Sequence, residues 1–345
     1  NLQQAKLTTP PANAQEGVHL VTAKKGKFVS NPMPFALDTL PECLDQESNN
    51  DVAHAQKVKL PIIVNGRTDK PDDWDVYQVE AKAGDTIVAE VQARRLDSPL
   101  DSMLKITDAD GKLLAVNDDH QDVGSGLNTH HADSYIMVKL PADGPYFVHL
   151  GDTSRGGGKE YAYRLRISAP RPDFALRVVP ASASMTSRKS ASLNIYAICK
   201  DGFEGDIKLS LKDAPQGFTA STVSLSSAKP KARLSVRTSL RTTKEPVSLA
   251  IEGRAKAGEE DIARVAVPAE DRMQAFLWRH LVPAQDLQAQ VYNPSYQPPP
   301  TRVAAPLTDA EKTKAANPRN PATKAKFSKR QVAGRLRQLK GLFEE

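Results

Sequence analysis

Between Leu60 and Ser168 the chain breaks into eight short apolar runs, and none of them keeps a helical period. The runs are LPIIVNG, DVYQVEA, TIVAEVQAR, SMLKITD, KLLAVND, SYIMVKL, PYFVHLG and YAYRLRIS. They are rich in β-branched and aromatic residues, and many alternate, so successive side chains fall on two faces. In SYIMVKL, Tyr135, Met137 and Lys139 face one way and Ile136, Val138 and Leu140 the other. KAGD, DADGK, PADGP and RGGGKE supply the turn chemistry between runs. Eight strands at hairpin spacing predict a two-sheet sandwich of jelly-roll type over residues 41–170.

SAPRPDFAL is a proline-bearing joint. Beyond it, seven further strand-like runs from FALRVVP to ARVAVP predict an immunoglobulin-like sandwich over 171–270. Before it, EGVHLVTA and KFVSNPMPFAL read as the end of a preceding Ig-like β-domain, 1–40. Met273, Phe276, Leu277 and Leu281 recur at helical spacing behind acidic residues, which predicts a docked helix with an extension over 271–292. Residues 293–326 read as a Pro-rich basic linker. In 327–345, Ser328 and Gln331 form a capping-box pattern, and Val332, Leu336, Leu339 and Phe343 make one apolar stripe of a short amphipathic helix. The fold class expected is therefore all-β, two tandem sandwiches with a C-terminal helix.

Charge is unevenly placed. From Thr301 to Glu345 there are eleven Lys/Arg against four Asp/Glu, while the first 300 residues carry 36 against 37. The basic balance belongs to the tail, so it does not argue for a nucleic-acid-binding fold. No run approaches the roughly 20 apolar residues that cross a bilayer. The chain opens on Asn1 rather than Met, which suggests processing or a piece of a longer protein. Cys43 and Cys199 fall in different expected domains, which leaves two inert thiols or one inter-domain disulfide.

NTHHADSYIMVKL holds His, Asp and Ser together, yet adjacent strand residues diverge, so His130 and His131 point apart. G-x-S-x-G and H-E-x-x-H are absent, and the chain reads as no enzyme. A second reading groups Asp118, Asp119 and His120 with His131 and Asp133 as a mixed N/O metal site. The alternative is a polar hairpin mouth in which these groups bond one another and the backbone.

DQESNNDVAHAQKVKLPIIVNGRTDKPDDWDVYQVEAKAGDTIVAEV, with DSPLDSMLKITDADGKLLAVNDD and ADGPYFVHLGD, resembles the bacterial pre-peptidase C-terminal domain over residues 45–168. The wider arrangement is similar to large secreted bacterial proteins that string such domains together. The related collagen-binding domains of collagenases bind calcium at the segment entering the sandwich. The resemblance implies ligands at Asp45, Glu47, Asn49 and Asn50, with Asp72, Asp73 or Asp75; Asp45 stands where the family usually has Glu, one methylene longer. Calcium takes six to eight oxygens, and these segments are dense in carboxylate and amide oxygen. The bland alternative is that they cap turns.

The function expected is a non-catalytic, calcium-stabilised binding or structural module, extracytoplasmic, in a larger secreted or cell-surface assembly. Its partners would be protein subunits or cell-surface components, met by the sandwich faces and the C-terminal helix. Alternatives are the accessory region of a secreted peptidase, or a glycan-binding module using Trp74, Tyr77, Tyr146, Tyr161 and Tyr163. Alternation suggests most of those aromatics are core.

Overall fold

The computed structural model describes residues 4–11, 13–14, 16–120, 133–273 and 279–295, without the side chains of 273, 279 and 280. The chain begins with a small antiparallel sheet of β1 (Lys6–Thr8), β2 (Gly17–Lys25), β3 (Phe28–Val29) and β4 (Met33–Leu37), in which β1, β3 and β4 all pair with β2. No described residue before Asn49 is fully buried, and Leu7, Leu20 and Phe28 are exposed. A sheet this small has no second layer of its own to cover a face.

The first sandwich comprises β5 (Glu42–Leu44), β6 (Gln56–Lys57), β7 (Ile62–Arg67), β8 (Trp74–Ala81), β9 (Thr86–Gln92), β10 (Ser102–Asp108), β11 (Leu113–Asn117), β12 (Tyr135–Lys139), β13 (Gly144–Asp152) and β14 (Ala162–Ser168). Two five-stranded sheets result, ordered β11-β10-β13-β8-β6 and β12-β9-β14-β7-β5. All eight runs expected from alternation are strands. In β14, Tyr163, Leu165 and Ile167 enter the core, while Ala162, Arg164 and Arg166 point outward. The turn between β10 and β11 is set by Asp108, whose carboxylate accepts from the amides of Asp110 and Lys112, and by Gly111 at φ 77°. The short β5 and β6 add in parallel to β7 and β8, carrying residues 45–55 across one end of the sandwich.

The second sandwich comprises β15 (Asp173–Val179), β16 (Ser182–Thr186), β17 (Ser190–Lys200), β18 (Ile207–Lys212), β19 (Phe218–Ala220), β20 (Val223–Leu225), β21 (Lys231–Thr238), β22 (Val247–Ala257), β23 (Glu260–Val265), β24 (Val267–Met273), β25 (Arg279–Pro283) and β26 (Leu287–Tyr292). One sheet runs β19-β21-β17-β15-β24-β25, the other β16-β26-β22-β18-β20 with β23 on β22. Its core gathers Phe174, Leu193, Ile195, Ile207, Leu234 and Ile251.

The helix expected over 271–292 is corrected by this topology. The described residues there lie in β24, β25, β26 and the turn before β26, so the sandwich continues to Tyr292; Phe276 and Leu277, part of the helical spacing, lie outside the described residues. β24 joins β15 in parallel and β25 returns against it, so that Ala269, Leu281 and Val179 share a small apolar cluster. β26 lies between β16 and β22. Cys43 and Cys199 are both free thiols, which settles the pairing the sequence left open. The linker from 296 and the helix expected in 327–345 lie outside the described residues.

The two sandwiches meet through charge. On the outer face of β14, Arg166 reaches Glu90 at 2.7 Å and Asp201 at 2.8 Å, and the backbone amide of Arg171 donates to Asp201. Arg171 in turn pairs with Asp38 and Glu16, which ties the N-terminal sheet to the joint.

Candidate metal centre

The acidic segment after β5 folds back over the start of β8. The amide of Asp45 donates to the carbonyl of Asn65 on β7, and the amide of Val76 donates to the carbonyl of Asn49. These backbone ties bring Asp45, Glu47 and Asp75 together, with one carboxylate oxygen of each within 4.8 Å of the others. Asp75 is wholly buried, Asp45 half-buried and Glu47 exposed. None of the three has a Lys or Arg in its ion pairs among the described residues, where paired carboxylates elsewhere do.

Neutral donors partly satisfy the cluster. Asn49 Nδ2 donates to Asp45 Oδ1 at 2.7 Å, and the Tyr77 hydroxyl donates to the same oxygen at 2.8 Å. The Tyr163 hydroxyl donates to Asp75 Oδ2 at 2.6 Å and sits in a short contact with the Tyr77 hydroxyl. Of the five buried side-chain oxygens without a partner among the described residues, four belong to these segments: Asp75 Oδ1, Asn49 Oδ1, Asn50 Oδ1 and Thr68 Oγ1. Buried acceptors are nearly always satisfied, so an accumulation at one end of a sandwich marks a missing donor or cation.

The electrostatics agree. Burial, then the charges of Asp45, Asp73 and Glu47, push the Asp75 carboxyl up to about 8, against the bond from Tyr163. Burial also raises Asp45, although Tyr77 and Asn49 donate to it. Burial and the neighbouring Asp73 and Asp45 raise Glu47. Three carboxylates this close resist simultaneous ionisation unless a cation joins them. The donor set is all oxygen, which suits calcium and not a thiolate- or imidazole-seeking metal. Asp45, Glu47 and Asp75 with the orphan amide oxygens of Asn49 and Asn50 are the residues that would hold it. Calcium would supply the positive charge the cluster lacks. Asp45, Glu47 and Tyr163 also line an open groove with Phe35 and Leu44, which gives an ion a path in.

The other expected ligands are placed differently. Asp73 is buried and accepts from Asn50 Nδ2 and from the Asp69 amide, so it orients the segment beside the cluster. Asp72 points away, 3.6 Å from Arg155. Tyr77 and Tyr163 are the participants that sequence reading had placed only among core or glycan aromatics. The signal for them was polar: each buried tyrosine hydroxyl needs a partner.

Gly66 makes the approach of these groups feasible. A Cβ there would lie 2.5 Å from the Tyr163 hydroxyl and 2.8 Å from Asp45 Cβ. Gly66→Ala is expected to push the Tyr163 hydroxyl off Asp75 and cost about 1–3 kcal/mol. Thermal melts with and without calcium read both the stability loss and the loss of calcium response.

The described residues that flank the histidine segment have partners of their own. Asp133 is buried, and its carboxylate accepts from the amides of Ala93, Arg94 and Arg95 and from Arg95 Nε. It caps the turn after β9. The Asp118 side chain accepts from the Asp119 amide, and the His120 ring packs 4.7 Å from that of Tyr135. Ser134 is buried against Ser102. His131 lies outside the described residues.

Fold and site together describe a tandem β-sandwich protein with an acidic, oxygen-lined centre at the entry to its first sandwich. No family model matches the chain. Over 82 residues, 24% of its length, it is 45% identical to a probable subtilase-type serine protease of Deinococcus radiodurans. That stretch is 10% of the relative, so the chain spans a small part of its length. Among solved structures, the pre-peptidase C-terminal domain of a Bacillus anthracis collagenase aligns at 17% identity and a TM-score of 0.24, over 33% of this chain and 94% of that one. A DUF4785 family protein of Legionella pneumophila aligns at 12% identity and a TM-score of 0.21, over 76% and 71%. No helix of the described residues is long and apolar enough to cross a membrane.

Proposed function

We propose that the chain is a non-catalytic, calcium-stabilised β-sandwich region that binds or positions within a larger extracytoplasmic protein or assembly. The observation that carries this is the convergence of Asp45, Glu47 and Asp75, in a segment where Asn49, Asn50 and Asp75 itself leave buried oxygens without a partner. The centre ties the segment after β5 to β7 and β8. Its chemistry fits a structural cation that rigidifies the entry to the sandwich. A second reading, the accessory region of a peptidase, is favoured by the 82-residue similarity to the subtilase-type protease.

Thermal unfolding of the chain in calcium and in chelator tests the centre. At free calcium 100-fold above its dissociation constant, binding adds about 2.7 kcal/mol. For a sandwich of this size that is roughly 10 °C in Tm. The Asp45→Ala/Glu47→Ala variant should lose the shift. Superimposable melts of the parent protein in calcium and chelator would remove the metal from the account.

A further inference from the structure

The second sandwich carries a one-sided concentration of charge. In β21, Ala232, Leu234 and Val236 enter the core, which sends Lys231, Arg233 and Arg237 to the exposed face. The register places Arg237 between Thr219 of β19 and Ser190 of β17, Ser235 beside Ser192, and Arg233 beside Asn194. No Asp or Glu occurs in β17, β19 or β21. Three cations elsewhere in the same sandwich are paired, Lys212 and Arg254 with Glu252 and Arg264 with Asp173. The ion pairs of the described residues include none from Lys231, Arg233 or Arg237. Lys231 instead lies 4.9 Å over the Tyr196 ring. At the β19 end, a shallow depression lined by Arg188, Arg237, Thr219 and Ser239 continues the surface.

The row from Lys231 to Arg237 is roughly 20 Å long at strand rise. A surface shaped only for solubility intersperses both signs. Like charges along one strand face repel, and a matching polyanion removes that cost. Beside the row runs a strip of Ser, Thr and Asn, whose groups both donate and accept, as sugar hydroxyls require. Nucleic-acid strands instead seek open aromatic faces for their bases, and Tyr196 lies under Lys231.

We propose that this outer β19-β21-β17 face docks a linear anionic polysaccharide, with Lys231, Arg233 and Arg237 meeting its acid groups and Ser190, Ser192 and Asn194 its hydroxyls. The test is calorimetric titration of the full chain with dextran sulfate, polygalacturonate, neutral dextran and duplex DNA, at low and high salt. Binding to at least one anionic polymer and not to neutral dextran is expected, weakening as salt rises. Arg233→Gln/Arg237→Gln should bind about tenfold more weakly. Both side chains are exposed, so its melting temperature should be that of the parent. The basic tail is the same in every variant, so the difference between variants reads this face alone. If the double variant melts early, Lys231→Gln with Arg237→Lys tests the same row with less change. Equal affinity of parent and variants overturns the proposal. So does equal binding to neutral dextran, or a larger loss of duplex DNA binding than of polysaccharide binding in the variants.

Discussion

Arg166→Ala is expected to cost about 3–5 kcal/mol, because it strips a buried ion network of its central cation. The Arg166 side chain is 12% exposed and Asp201 3%. Its guanidinium donates to Glu90 through Nε and Nη2 and to both oxygens of Asp201. Without it Asp201 keeps only neutral donors, the Tyr135 hydroxyl and the Arg171 amide. Glu90 keeps Arg95 at 3.0 Å. Most of the loss should therefore come from Asp201, and Arg166→Ala/Asp201→Asn should recover part of it. Chemical denaturation of the two variants and Asp201→Asn alone closes the cycle. Because the network joins β14 to the turn after β17, the variant should also expose the joint at 168–173 to protease. A loss under 1 kcal/mol, with an uncut joint, would mean that apolar contact holds the sandwiches.

The same network sets an acid limit. Burial pushes Glu90 up, but Arg95 and Arg166 outweigh it and hold the carboxyl down at about 2, against the usual 4.5. A carboxylate depressed in the folded state adds stability above its unfolded value and loses it as pH falls through the folded one. Stability from Glu90 is thus complete above about pH 4.5 and lost towards pH 2. Glu90→Gln should flatten the stability curve across that window.

Alternation made the strands of the first sandwich legible, since their partners face one core and the signal is local. The docked-helix expectation failed where pairing is non-local. β25 is the edge strand of its sheet with β24 beside it, and among the described residues they bury little beyond Ala269 and Leu281; Asp271, on the same face as both, broke the apolar alternation. Their partner strand, β15, lies about ninety residues away in the chain. The polar β16 was missed for a similar reason: it exposes Ser182 and Ser184, and is held by parallel pairing to β26. At the metal centre the acidic segment was readable as ligand chemistry. Which of Asp72, Asp73 and Asp75 turns inward was not. Strand parity alone would put Asp73 and Asp75 on one side, but Asp73 precedes β8 and is turned to the Asn50 amide and the Asp69 backbone. In the histidine loop, three consecutive amides capture Asp133, and no spacing rule announces that capture.

Asp75 supplies the second large effect, with the opposite sign to Glu90. Held up at about 8 in the metal-free fold, against 3.8 when free, it keeps its proton where the unfolded chain has released it. Metal-free stability should then fall as pH rises from about 4 to about 8, by on the order of 5 kcal/mol, and level off beyond. Calcium takes the place of that proton, so binding releases protons and tightens over the same interval. The calcium-induced rise in Tm should be small at pH 5 and several-fold larger at pH 8. Asp75→Asn separates the two contributions. Its amide cannot ionise, so the metal-free protein should lose the downward slope and be more stable than the parent at pH 8. It also removes a charged ligand, so calcium should no longer raise its Tm. A parent protein whose metal-free melts are flat from pH 5 to 8 would show that Asp75 is ionised throughout, with its charge already compensated in the fold.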